Sequence, residues 1–166
     1  MKTDRRKLVV VLIVTVFLVL SGLSFVSAEN YDALKGVDSA KVIFDMRDGI
    51  PKIAAVHMKL IFDTYKELAA MKKNPVFVVV FMGSSVKLIS TNRSEFSPEE
   101  QKYIEKIDDT ISKMSRAGIQ LEVCLAAVEY FGVDPASIQS EIKQIGNGWI
   151  SEIGYQTSGY SLVPVY

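Results

Sequence analysis

A single thiol, a few carboxylates and three Gly-containing turns are the groups in this sequence best suited to chemistry. Cys124 is the one cysteine among 166 residues. It closes the stretch Ile119-Gln120-Leu121-Glu122-Val123-Cys124 and immediately precedes Leu125 to Phe131, which reads as a short helix. At a strand-to-helix junction, backbone N–H groups and the positive end of a helix dipole favour the thiolate, the nucleophilic form. A second reading stays open. Free cysteine is among the most buried residue types, and Cys124 then completes its strand as a small hydrophobe. One Cys and one His exclude an intramolecular disulfide and a Cys/His zinc site within the chain. No metal ligand and no cofactor is assigned.

Asp45-Met46-Arg47-Asp48-Gly49, Met82-Gly83-Ser84-Ser85 and Gly146-Asn147-Gly148 combine residues that tolerate unusual backbone angles with hydrogen-bond donors. Together with Cys124 they suit a cradle for a small anion or a sulfur species. The candidate ligand-binding residues are Asp45, Arg47, Asp48, Gly83, Ser84, Ser85 and Asn147. Blander roles fit some of them equally well: Asp48 as a turn former ahead of Gly49, Arg47 as a surface ion-pair partner. Gly83-Ser84-Ser85 lacks the Lys and the spacing of a P-loop, and Ser84 lacks the flanking glycines of a nucleophile elbow. His57 falls mid-helix among Ile53, Leu60 and Ile61, which suits a packed or half-exposed imidazole rather than a base. Trp149, Tyr155 and Tyr160 fit a pocket wall, a core or a subunit interface.

These segments must be positioned by a regular framework, and the sequence predicts one. Val42-Ile43-Phe44 and Val76 to Phe81 are β-branched and aromatic runs of the kind covered on both faces of a parallel sheet. Ile119 to Cys124 alternates apolar and polar residues. Ile142 to Ile145 and Leu162 to Val165 are weaker strands, the last pushed to an edge by Pro164. Pro51 opens a helix whose apolar stripe reads as Ile53, His57, Leu60, Ile61, Thr64 and Leu68, and Asn74-Pro75 stops it. Ser97-Pro98-Glu99-Glu100 is a capping box ahead of Ile104, Ile107, Ile111 and Met114. Leu125 to Phe131 and the segment from Asp134-Pro135 read as two short helices, and Trp149 to Tyr155 as another. The alternating order predicts a single α/β domain over residues 41–166, with about five mainly parallel strands and helices on both faces. Loops at the C-terminal ends of such strands are where sites form.

The N-terminus reads differently. Lys2, Arg5, Arg6 and Lys7 precede an uncharged run from Leu8 to Leu20, and Val26-Ser27-Ala28 offers small side chains before Glu29. This is a signal-peptide pattern with cleavage expected after Ala28, although Leu8 to Val26 also reaches the lower limit for an uncleaved membrane anchor. Either route exports the folded part to the periplasm or the extracellular side, with a polar lead over residues 29–40. Lys+Arg and Asp+Glu number 19 each. Removing residues 1–28 takes four basic and one acidic residue, so the remaining 138 carry a net −3. Such a balance offers no footprint for nucleic acid.

From Lys41 to Tyr166 the chain resembles the DsrE/DsrF-like family of small sulfur-relay proteins. The likeness lies in Lys41-Val42-Ile43-Phe44-Asp45-Met46, Val78-Val79-Val80-Phe81, Gly118 to Cys124 and Gly154-Tyr155-Gln156. It implies that Cys124, at the end of the third strand, carries sulfane sulfur as a persulfide between a donor and an acceptor. It also implies association into a homo-oligomer, a trimer or hexamer. Two departures stand out: better-understood members work in the cytoplasm, and the thiol-rich surroundings of some members are missing here. The competing expectation is an exported, non-enzymatic binding module in which Cys124 is structural.

Overall fold

Runs of β-branched and aromatic residues become strands here, and five of them pair in parallel in the order β4-β3-β2-β1-β5. In this computed structural model, which describes residues 31–166, the strands are β1 (Lys41–Met46), β2 (Val76–Phe81), β3 (Gln120–Cys124), β4 (Lys143–Ile145) and β5 (Ser161–Val165). The helices are α1 (Pro51–Ala70), α2 (Pro98–Arg116), α3 (Leu125–Tyr130) and α4 (Gly148–Thr157). The chain divides into two units, residues 1–35 and 36–166. In the first, the described residues form one 3-10 turn, Asp32–Leu34, beside an ion pair between Lys35 and Asp32 at 2.7 Å. The expected signal peptide or anchor, residues 1–28, lies outside the described residues. No described helix is long and apolar enough to cross a membrane.

Period-2 alternation sorts the strand residues onto two faces. Phe44, Met46, Phe77, Val79, Phe81, Leu121 and Val123 pack with α1, α2 and Val128 of α3 into the larger core. Ile43, Val78, Val80, Met82 and Cys124 form a smaller apolar cluster on the opposite face, against Tyr155 of α4. Helices therefore cover both faces, as the alternating pattern predicts. Chain direction also splits: α3, following β3, returns over the first face, whereas α4, following β4, crosses the second. That divergence opens a crevice beyond the C-terminal ends of β3 and β4.

α2 forms as the sequence dictates. Ser97 Oγ accepts from Glu100 N–H while the Glu100 carboxylate accepts from Ser97 N–H, closing the capping box ahead of Pro98. Ile104, Ile107, Ile111 and Met114 are all buried, each contributing about 1.5–3 kcal/mol. α1 differs from the expected stripe. Its buried residues are Pro51, Ala54, Ala55, Met58 and Ile61, whereas Ile53, Val56 and Leu60 are exposed. Small Ala side chains bring the helix close to its neighbours and turn the larger residues outward. A second correction concerns Asp134-Pro135, which starts only a 3-10 turn, Pro135–Ser137, because the Asp134 carboxylate caps Ala136 N–H and the chain then extends.

Candidate functional site

Beyond the sheet on the α4 side, strand register lines up two successive rows. Asp45, Val80 and Glu122 are in register across β1, β2 and β3. One step further along lie Arg47, Met82, Cys124 and Ile145, continued by backbone bonds from Arg47 N–H to Val165 O (3.0 Å) and Met82 N–H to Met46 O (2.9 Å). The chemistry-bearing residues of the sequence thus converge at the expected end of the sheet.

Cys124 is 6 % exposed and caps the N-terminus of α3, with no hydrogen bond from its side chain to that helix. Ala126 N–H, in the first turn of that helix, donates to Gly146 O at 3.3 Å. The first turn of α4 passes directly over the cysteine. A Cβ built on Gly148 would sit 2.2 Å from Met82 Sδ and 3.1 Å from Cys124 Cβ, so glycine lets the turn cross this closely without displacing the methionine. Asn147 holds the turn by accepting from Trp149 N–H at 3.0 Å.

The crevice is a cavity of about 460 Å³ whose wall includes Cys124, Met82, Arg47, Phe131, Tyr130 and Trp149. Gly83 and Asn147 also line it. Gly83 takes φ +56°, a left-handed conformation that turns the chain away as β2 ends. Of the predicted ligand residues, Arg47, Gly83 and Asn147 reach this space. The others serve the framework. Ser85 is fully buried, its Oγ placed between Met46 O (2.7 Å) and Met82 O (2.8 Å). Ser84 Oγ donates to Arg47 O at 3.2 Å. Asp48 accepts from Ile50 N–H at 2.9 Å in an Asx turn, and its second oxygen lies 3.4 Å from His57 Nδ1. Trp149 lines the cavity, while Tyr155 and Tyr160 meet outside its wall, their rings tilted with centroids 5.1 Å apart.

Three buried acidic residues shape the electrostatics beneath the crevice: Asp45, one of the predicted ligand residues, and Glu152 and Glu122, which motif reading passes over. Asp45, 5 % exposed, accepts from Arg47 Nε at 2.7 Å and so fixes the guanidinium. Glu152 of α4, 6 % exposed, has its carboxyl pushed up to about 7, first by burial and then by the nearby Asp45 charge, with Arg47 opposing. Glu122, 1 % exposed, accepts from Gln120 Nε2 (2.7 Å), Tyr155 OH (3.0 Å) and Ser151 Oγ. Those bonds tie α4 to β3. Burial and the Glu122 charge push the Tyr155 phenol up to about 12, so the phenol stays protonated and keeps donating. Glu122 of β3 therefore faces a helix and not solvent, while Gln120 at the start of the strand stays exposed.

This fold and site define a small α/β protein with a cysteine at the crevice beyond the third strand. A model of the DsrE/DsrF-like family matches residues 59–164, and the chain belongs to that family. An uncharacterized protein of Aquifex aeolicus is 22 % identical over 125 residues, which is 75 % of this chain. The chain spans 55 % of the length of that relative. Among solved structures, a protein of unknown function from Methanobacterium thermoautotrophicum superposes with a TM-score of 0.60 at 13 % identity, covering 76 % of this chain and all of that one. The ychN protein of E. coli gives 0.51 at 10 % identity, over 76 % of this chain and 99 % of its own. At these identities the likeness shows the fold.

Proposed function

We propose that this protein is an exported sulfur carrier that forms a persulfide on Cys124. The observation that carries the reading is the position of the chain's only thiol in the wall of an open cavity at the point where α3 and α4 diverge. Support comes also from α4, whose N-terminal turn packs against Cys124 and sets partial positive charge at the end of the sheet where the thiolate would form. The Cys124 thiolate attacks the outer sulfur of a donor R–S–SH. A new S–S bond forms as the donor's S–S bond breaks, and R–S⁻ leaves with the electron pair. An acceptor thiolate then attacks the outer sulfur of the persulfide and releases Cys124 as thiolate. No external oxidant enters the balance.

The near-complete burial of Cys124 against Met82 and Val80 favours the competing reading, a binding module with a structural cysteine. Mass spectrometry after polysulfide treatment separates the two. The carrier gains about one sulfur atom, roughly 32 Da, and Cys124→Ser folds normally but gains nothing. Absence of sulfur on the wild type, together with a several-degree loss of Tm in Cys124→Ala from the cavity it leaves, would overturn the carrier.

A further inference from the structure

The charge and shape of the crevice go beyond the identity of its cysteine. Its wall is mainly hydrocarbon, from Met82, Ala127, Phe131 and the exposed rings of Tyr130 and Trp149. Within that wall stands one charged side chain, Arg47. Its Nε is engaged by the buried Asp45, and among the described residues its terminal nitrogens have no hydrogen-bond partner. A guanidinium held by one edge presents its remaining donors as a planar fork matched to an oxyanion. At about 460 Å³ the cavity falls within the range of small-molecule sites and far exceeds what hydrosulfide or thiosulfate needs. An apolar wall with one fixed cation beside a thiol selects a ligand with the complementary parts.

We propose that the crevice binds a small organic anion, an oxyanion head on a hydrocarbon body, with Arg47 receiving the head and the aromatic rim receiving the body. Resting on the carrier reading, the donor is then an organic sulfane-sulfur compound of this class. A thiosulfonate, R–SO₂–S⁻, is its simplest form. The Cys124 thiolate attacks the terminal sulfur, the S–S bond of the donor breaks, and the sulfinate R–SO₂⁻ leaves with the electron pair. Cys124 keeps the sulfur as a persulfide anion, so charge and electrons balance without a further reactant.

Trp149 is the only tryptophan of the chain and lines the cavity, so its emission reports this site alone. The full-length chain is titrated with 1-hexanesulfonate, which has no sulfur to transfer, and in parallel with 1-hexanol and inorganic sulfate. Saturable change with hexanesulfonate is expected, with the alcohol and sulfate at least tenfold weaker. Arg47→Gln should weaken the sulfonate about tenfold and leave the alcohol unchanged, and Arg47→Lys should fall between. Equal binding of sulfonate and alcohol by the wild type, undiminished sulfonate binding by Arg47→Gln, or no sulfonate binding at all overturns the proposal. If Arg47→Gln does not fold, the wild-type comparison of the three probes decides. Sulfonate binding without sulfur uptake on Cys124 would sink the carrier alone; uptake from polysulfide without sulfonate binding would sink this inference alone.

Discussion

At the scale of single residues, the buried Glu152 makes stability depend on pH. Its folded carboxyl sits near 7 against an ordinary value of 4.5, so the neutral form is the one the fold prefers. A raised pKa contributes stability that is complete below pH 4.5 and is lost as pH climbs through about 7. Urea melts of the wild type should therefore show falling stability across that window. Glu152→Gln keeps the shape without the charge and should stabilise the protein on the order of 2 kcal/mol at pH 8, with little effect at pH 4.5. A gain equal at both pH values would show that the carboxyl titrates alike in the folded and unfolded states. Cys124 is legible from sequence because it is the only thiol. Glu152 is not, since its meaning comes from Asp45 on a distant strand that only folding brings beneath α4. Gly148 likewise looks like one of several turn glycines until α4 is seen crossing Met82 and Cys124.

Elements differ in how plainly their sequences announce them. β2 and α2 are legible because a single local signal decides each: an unbroken β-branched run, and a capping box followed by a 3.6-residue apolar period. Ser97→Ala removes one half of that box and should cost about 1 kcal/mol, read as a fall of roughly 3 °C in Tm. An unchanged Tm would mean that water or a neighbouring group replaces the cap. α1 is misread because it is apolar on nearly every side. Large Ile53 and Leu60 suggest the core face, yet close packing uses Ala54 and Ala55. The alternation of β3 does not tell what covers its polar residue: Glu122 is buried beneath α4, where Ser151 and Tyr155 satisfy the carboxylate. In both cases the deciding partner is another element, and local periodicity carries no record of it.

For the whole molecule, the expected association into a homo-oligomer would use the outward residues of α1. Ile53, Val56 and Leu60 are exposed along this helix, as are Ile50 just before it and Val163 on the same side of β5. Light scattering is expected to give a trimer or hexamer, and the paired change Ile53→Glu with Leu60→Glu should yield a monomer of nearly unchanged melting behaviour. A wild-type monomer at micromolar concentration would remove that expectation. N-terminal sequencing of the exported protein should begin at Glu29; recovery of Met1 from a membrane pellet would identify an anchor instead. The sheet itself limits the manner of assembly. Val165 O bonds Arg47 across β1, so its neighbour Pro164 turns toward the free margin of β5, where it has no N–H to give. The opposite margin, β4, is only three residues long and begins with Lys143. Neither margin offers a long row of free N–H groups to a further strand, so copies of this chain would meet through side-chain surfaces and not by extending the sheet.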